Sequence, residues 1–466
     1  MARGRKKETL TPEERLQAAL VPESEQPYTV PRNWCWTQLG TYIDFATDYV
    51  ANGSFASLKQ NVAYYKEENY AILVKTQDFS NSFTEDLTYI DKCGYDFLKK
   101  SVLYGGELIL SNIGSIGKVF RVPHLNKPMT LAPNSIMIKC YRETDYDLLY
   151  YYFLSPFGTE QLYSITTGTA VKKFNKTDLK TICLPLPPLS EQQRIVDRIE
   201  SLFAKLDEAK QKAQDALDSF ETRKAAILHK AFTGELTAQW RKEHGVGMES
   251  WDNTTLSKIV IGFKYGTSEK SDYSYKGMPV FRIPNITDDG LSFEDLKFLS
   301  HKDISDENQI HENDILIVRS NGSRELVGKS VLVPQLDREY AYASFLIRIQ
   351  PLESVVPNYL VMYLNSTDAR MQMFKKAKSS AGINNINSKE LGAILINLPS
   401  FSEQAEIVRI LDNLLAKEQL AKEAAEGVLE QIDLIKKAIL ARAFRGELGT
   451  NDPGEESAVE LLKQVL

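Results

Sequence analysis

Two pairs of polar loops carry the residues of this sequence that could bind a ligand. The first pair, at 111–118 and 319–329, follows apolar runs and combines Asn, Ser, Gly and basic residues. The second pair, at 169–176 and 375–387, is rich in Lys and Asn. Such side chains can bond phosphate oxygens, and Asn and Arg can also read adenine and guanine in the DNA major groove. The alternative interpretation is a set of turns that need Gly and Asn for positive φ.

Motifs for catalysis or nucleotide binding are absent from the sequence. There is no GxGxxG or GxxxxGK[ST] phosphate loop, and Pro187-Pro188 lacks the preceding Asn or Asp of an adenine-methyltransferase motif. The five histidines have no HExxH spacing, and the four cysteines contain no CxxC pair. We therefore expect a protein that is not an enzyme, with no metal or cofactor of its own and with cysteines that pack as small apolar residues.

The loops recur because the sequence is a duplication. Leu189–Val196 returns as Phe401–Val408, and Lys224–Leu236 returns as Lys436–Leu448, both at an offset of 212 residues. An offset that stays constant over this distance predicts a rigid element, since loops change length between copies. The stretches before each copy repeat at looser offsets and predict short strands and helices.

Each rigid element is predicted to be one long helix. Apolar residues recur at alternating steps of three and four, with one interruption per copy, at Arg223 and at Glu418, which is typical of a heptad seam. Ser190 is the expected N-cap of the first helix, and Gln193 would complete its capping box. We expect rods of about 60 Å that pack against each other as an antiparallel coiled coil.

The predicted fold class is α+β, with two mixed α/β domains, each followed by a long helix, and pseudo-twofold symmetry from the duplication. The expected parts are a flexible basic N-terminal arm, the first globular domain, a central helix, the second globular domain, a C-terminal helix and an acidic tail. Their predicted boundaries are 1–29, 30–185, 186–245, 246–398, 399–448 and 449–466.

Composition excludes several classes of protein. The 466 residues are 43 % hydrophobic and 25 % charged, which is ordinary for globular chains and argues against disorder and membrane classes. No apolar segment follows the basic residues at the start of the sequence, so we expect a cytoplasmic protein. The net charge of −6 does not indicate a nucleic-acid partner, but residues 99–180 contain 11 basic and 6 acidic side chains.

From Trp34 to Leu448 the sequence resembles the specificity subunits of type I restriction-modification systems. The most specific parts of the resemblance are Leu184–Gln193, Ala231–Leu236 and their second copies. The segments around 114–115 and 322–323 look like those of the family's target recognition domains. The second helix opening lacks the double proline and the capping-box Gln of the first, which affects only the expected angle at which the chain enters this helix.

The resemblance implies a non-catalytic subunit in which each recognition domain reads one half of a bipartite DNA target. The helices would set the spacer between the halves and dock the partners. The implied partners are double-stranded DNA, two modification subunits that use S-adenosylmethionine, and restriction subunits that use ATP and Mg. The residues expected to contact DNA are Thr76, Gln77, Ser111, Asn112, Ser115, Lys118, Thr169, Lys172, Lys173, Asn175, Arg282, Asn285, Arg319, Asn321, Ser323, Arg324, Lys329, Asn384, Asn385 and Asn387.

Two other functions fit parts of the pattern. A coiled-coil adaptor would use the helices to recruit proteins and would bind no DNA. The chain could also be the recognition part of a split restriction-methylation enzyme, which the absence of a catalytic domain disfavours.

Overall fold

The computed structural model describes residues 11–302, 304–380 and 382–466. The chain divides into two compact units. The first unit contains the residues up to Lys212 together with Val428–Leu466, and the second contains Ala213–Gly427. Each unit therefore combines one globular head with segments of both long helices.

Helices occur throughout both units. In chain order they are α1 (Pro12–Ala19), α2 (Leu39–Tyr42), α3 (Phe55–Asn61), α4 (Lys92–Phe97), α5 (Glu143–Leu154), α6 (Pro156–Ser164), α7 (Lys176–Leu179), α8 (Leu189–Asp218), α9 (Phe220–Phe232), α10 (Ala238–His244), α11 (Pro357–Leu364), α12 (Thr367–Lys376), α13 (Ser388–Gly392), α14 (Phe401–Ala443) and α15 (Ala458–Val465).

The strands are short. They are β1 (Cys35–Gln38), β2 (Ile43–Asp48), β3 (Ala71–Val74), β4 (Tyr89–Ile90), β5 (Val102–Leu103), β6 (Leu108–Ser111), β7 (Val119–Arg121), β8 (Met129–Leu131), β9 (Ser135–Cys140), β10 (Cys183–Leu186), β11 (Asp252–Thr255), β12 (Val260–Tyr265), β13 (Pro279–Phe281), β14 (Lys297–Phe298), β15 (Ile315–Val318), β16 (Ser320–Asn321), β17 (Ser330–Leu332), β18 (Ala341–Tyr342), β19 (Leu346–Pro351), β20 (Lys378–Ser380), β21 (Ile383–Asn385) and β22 (Leu395–Leu398).

The two heads share one sheet topology. The first head contains a sheet of order β2-β9-β6-β7, and the second contains its counterpart, β12-β19-β15-β17. A second sheet has the core order β4-β3-β8 in one head and β14-β13-β18 in the other, with β3-β8 and β13-β18 parallel. Strands β6 and β15 occupy inner positions of these sheets and are buried along their whole length, which agrees with their mostly apolar sequences. The duplication seen in the sequence is thus a duplication of fold.

Within each unit, the two long-helix segments run antiparallel. In the first unit, the Arg194 side chain donates to the Thr450 carbonyl at 3.1 Å, while further along α8 Asp207 pairs with Lys436 at 2.5 Å. In the second unit, Arg241, which follows α9, pairs with Glu403 near the start of α14 at 2.6 Å, while Arg223 inside α9 pairs with Glu418 at 2.8 Å. The two interruptions of the heptad seam therefore meet each other as an ion pair. A continuous coiled coil stays a prediction.

The first long helix differs from its prediction at two places. It ends as α8 and resumes as α9 around Ser219, where the Ser219 hydroxyl and the Arg223 guanidinium both donate to the Ala216 carbonyl. Side chains that bond a helix carbonyl compete with the backbone ladder and interrupt it. At its start, α8 begins at Leu189 and the Pro188 carbonyl accepts the first amide bonds, so the prediction of Ser190 as N-cap is wrong.

The predicted N-terminal arm and acidic tail both contain helices over the residues described. Residues 11–29 contain α1, whose N-cap Thr11 forms a capping box with Glu14, and the Tyr28 hydroxyl donates to the Phe444 carbonyl at 3.0 Å. The prediction of a flexible arm is therefore wrong for 11–29, whereas the basic residues of the arm, at positions 3–7, lie outside the described residues. The acidic tail forms α15, because its apolar residues Ala458 and Leu462 join the core of the first unit.

The cysteines differ in their burial. Cys35 and Cys140 are buried as expected, but Cys93 is exposed, so the packing role predicted for all four cysteines is wrong for Cys93.

Among the residues described, no helix is both long enough and apolar enough to cross a membrane.

Candidate nucleic-acid interface

In the first unit, two predicted loops meet beside the end of β6. Ile113 and Thr167 each form a β-bridge with Lys173, and the Gly114 amide donates to the Lys172 carbonyl at 3.2 Å. Gly114 has φ of +80°, a conformation that favours glycine, and nothing lies within 4 Å of the position a Cβ would take. The predicted residues that are exposed on these loops are Ser115, Lys118, Thr169, Lys172, Lys173 and Asn175.

In the second unit, the corresponding loops form a small sheet of order β16-β21-β20. The Asn384 amide donates to the Gly322 carbonyl at 3.1 Å, and the Ser323 amide donates to the Asn321 side chain at 2.8 Å. Arg319 donates to the Asn385 side-chain oxygen at 3.3 Å. The structure therefore brings these five predicted residues together, although they come from segments about 60 residues apart.

Several predicted residues have structural roles instead. Asn285 is 1 % exposed, donates to the Glu294 carbonyl at 2.7 Å and accepts from the Arg282 amide at 2.9 Å. Ser111 is 3 % exposed inside β6. Neither side chain can reach DNA in this conformation, so the prediction is wrong for both. Polar side chains near the ends of strands often form hydrogen bonds with the backbone, and this accounts for both residues.

Asn175 and Asn387 are helix N-caps. Asn175 accepts from two amides of α7, and Asn387 forms a capping box with Glu390 at the start of α13. Both side chains therefore satisfy amide groups that a helix start leaves unpaired. Their repetition in the sequence reflects this shared local structure.

The remaining predicted residues lie beside these loops or in the second sheet of each head. Thr76 and Gln77 follow β3, and Arg282 follows β13, where it donates to the Asp295 carbonyl at 2.6 Å. Arg324 is exposed, and its guanidinium lies over the Phe374 ring.

Lys329 is the predicted residue whose charge the structure neutralises most directly. It pairs with Asp288 at 2.7 Å, and this hydrogen bond holds the pKa of the Asp288 carboxyl below its usual value. The lysine lines a cavity of about 610 Å³ that Lys224 and Arg370 also line. Its ammonium group is therefore committed to a carboxylate in the free protein.

Sequence reasoning missed an aromatic partner of the second site. The Arg319 guanidinium lies 4.6 Å from the centre of the Tyr265 ring, and the Tyr265 hydroxyl accepts from the Ser388 amide at 3.0 Å. Tyr265 lies at the end of β12, more than 50 residues from Arg319. Local patterning in the sequence could not have found this pair.

Sequence reasoning also missed a buried carboxylate at the start of each long helix. Glu191 accepts from the Trp34 indole at 2.7 Å and from Asn451 at 2.8 Å. Glu403 accepts from the Trp251 indole at 3.0 Å and from Arg241 at 2.6 Å. Both carboxylates are 0 % exposed. The signal that could have found them is the repeated Glu-Gln at 191–192 and 403–404.

Among the residues described, no group of three or more His, Cys, Asp or Glu side chains is placed to hold a metal ion. The chemistry that both sites do offer is hydrogen bonding by amide, hydroxyl, ammonium and guanidinium groups. These groups suit the phosphates and base edges of a nucleic acid.

Comparison with known proteins agrees with this geometry. A family model described as "Type I restriction modification DNA specificity domain" matches residues 50–217 and 248–430. The chain is 26 % identical over 429 residues to the type I restriction enzyme EcoKI specificity subunit of Escherichia coli K12, covering 87 % of this chain and 90 % of that protein. It is 23 % identical over 425 residues to the StySPI specificity subunit of Salmonella potsdam, with the same coverage.

A solved structure has the same fold. The HsdS subunit from Thermoanaerobacter tengcongensis superimposes with a TM-score of 0.64 at 21 % identity, over 91 % of this chain and 100 % of that one. The family model matches more than half of the sequence, once in each unit. The chain therefore belongs to the family of type I restriction-modification DNA specificity proteins.

Proposed function

We propose that this chain is the DNA-reading, non-catalytic specificity subunit of a type I restriction-modification complex. Each head would contact one half of a bipartite target. The observation that carries the proposal is that the two heads, alike in topology, place different polar side chains on equivalent loops. One scaffold with two different sets of loop residues suits a target with two unlike halves.

The charges on the loops support a contact with duplex DNA. Lys118, Lys172 and Lys173 are exposed on the loops of the first head, and Arg324 is exposed in the second. Cations that neutralise phosphates supply much of the affinity of a protein for DNA and position it on the duplex. A chain with a net charge of −6 can bind DNA through such local clusters.

The proposal extends to the partners that the family resemblance implies. Two modification subunits would dock on the long helices and use S-adenosylmethionine, and restriction subunits would use ATP and Mg. The specificity subunits of Escherichia coli and Salmonella that this chain resembles are named as parts of restriction enzymes. The chain itself would use no cofactor and would act in the cytoplasm.

An exchange of heads tests the proposal. Residues 30–185 are replaced by the corresponding segment of another family member, the chain is assembled with its modification subunits, and the methylated sequence is mapped. We expect one half of the target to change and the other half to stay. Exchange of residues 246–398 is the matched control and should change the opposite half. A complex without sequence preference would contradict the proposal and favour the adaptor alternative.

A further inference from the structure

Asn112 and Arg319 occupy the same backbone position in the two heads. Each follows the buried central strand, β6 or β15. The Asn112 amide donates to the Asn134 carbonyl and its carbonyl accepts from Phe174, at 3.2 and 3.1 Å. The Arg319 amide donates to the Phe345 carbonyl and its carbonyl accepts from Ile386, both at 2.9 Å. Two different polar side chains thus leave equivalent backbone sites.

Asn112 has one unused polar atom. Its Nδ2 donates to the Phe174 carbonyl at 2.9 Å, whereas its buried Oδ1 has no hydrogen-bond partner among the residues described. An amide nitrogen carries two hydrogens, so the side chain retains one donor and one acceptor. Leaving a buried acceptor unpaired is unfavourable, so a ligand that supplies a donor is favoured.

Arg319 also has an unused polar atom. Its Nη2 donates to Asn385 at 3.3 Å, and its buried Nε has no partner among the described residues. The guanidinium lies over the Tyr265 ring, whose hydroxyl is hydrogen-bonded to Ser388. A guanidinium held over an aromatic ring is planar and pre-oriented, which suits a bidentate contact. Tyr265 is therefore a positioning residue for Arg319.

We propose that Asn112 and Arg319 are equivalent base-reading residues of the two heads, and that they read adenine and guanine respectively in the major groove. This inference rests on the DNA-reading function proposed above. An Asn donor and acceptor match N7 and the N6 amino group of adenine, whereas two Arg donors match N7 and O6 of guanine. The Oδ1 atom of Asn112 is covered in the free protein, so its contact requires a side-chain rotation whose cost the new bond offsets. Arg319 would contact guanine through its two Nη groups and keep its position over Tyr265.

The test uses the full chain assembled with its modification subunits and a library of randomised duplexes. Arg319→Met removes every donor of the guanidinium, so we expect discrimination for guanine at one position of one half-site to fall about 5- to 150-fold, equivalent to about 1–3 kcal/mol. Arg319→Asn should shift that position toward adenine. Asn112→Asp should shift one position of the other half-site from adenine toward cytosine, because a carboxylate accepts from the cytosine amino group.

Controls separate base reading from general effects. Arg324 is an exposed arginine five residues after Arg319 on the same loop. Arg324→Asn should weaken binding to all sequences alike and leave both preferences unchanged. Tyr265→Leu should reduce the guanine preference and leave the other half-site unchanged. If the wild-type complex is sequence-selective and every variant at 112 and 319 keeps the same base preferences, this inference is overturned but the proposed function is not. A wild-type complex without preference would overturn the proposed function itself.

Discussion

Removing the Glu403 carboxylate should destabilise the second unit strongly. Its Oε1 accepts from Arg241 at 2.6 Å and from Thr237 at 2.7 Å, and its Oε2 accepts from Trp251 at 3.0 Å. The carboxylate is fully buried and the Arg241 side chain is 9 % exposed. Glu403→Ala would therefore leave a buried guanidinium without its counter-charge.

The expected cost follows from this geometry. Breaking a buried ion pair by removing one partner costs about 3–5 kcal/mol, which is a large part of the roughly 5–15 kcal/mol that stabilises a typical domain. Glu403→Gln keeps the size of the side chain and one acceptor, so it should cost less, about 1.5–3 kcal/mol for the lost charged hydrogen bonds. We therefore expect the free energy of unfolding of the second unit to increase from Glu403→Ala to Glu403→Gln to the wild type.

Hydrogen exchange measures the effect unit by unit. Amide protection should fall across 234–251 and 400–411 in the full chain and stay unchanged across 183–199 of the first unit. The matched control is Arg409→Ala, which removes an exposed pair with Glu406 less than two turns further along α14. Such a surface pair is worth about 0–1 kcal/mol. If Glu403→Ala lowers protection no more than Arg409→Ala does, the buried network does not stabilise the unit.

Two further predictions concern the helix and the C-terminal segment. Gly427 lies inside α14 with open space around the position of a Cβ, so Gly427→Ala should stabilise the helix by about 0.5–1 kcal/mol, seen as slower exchange across 420–435; faster exchange would show that the glycine is needed. Arg194 and Ser190 bond Glu455 and lower its pKa from 4.5 to about 2. The stability from this carboxylate is therefore present above about pH 4.5 and is lost as the pH falls toward 2. Protection of 450–466 should fall in that window, and Arg194→Met should reduce the pH dependence, because only the Ser190 hydrogen bond would then lower the Glu455 pKa.

The patterns that repeat along the sequence predicted most of the fold. The stretches before each copy of the long helix were predicted to contain short strands, and β6, β9, β15 and β19 are the central strands of the two heads. The seam interruptions at Arg223 and Glu418 were visible as breaks in a heptad, and they meet in the structure. Periodicity is a local property of the backbone, so it can be read from neighbouring residues alone.

The candidate sites were predicted less completely. Asn285 and Asn321 were both predicted to contact DNA, yet the first is buried and the second lies on the loop cluster. The difference comes from partners such as the Glu294 carbonyl, which the fold brings to Asn285. Exposure is a property of the whole packed head and does not follow from residue type.

The sequence alone thus determined the duplication, the two heads, the antiparallel helix segments and the polar loops that bear their chemistry. Only the tertiary structure decided which polar side chains are used in folding and which are left with unpaired atoms. Asn175 and Asn387 cap helices, and Lys329 pairs with Asp288. Asn112 and Arg319 retain unused hydrogen-bonding atoms at equivalent positions. The reason is physical: a hydrogen bond depends on atoms within about 3 Å, and the fold supplies those atoms from distant parts of the chain.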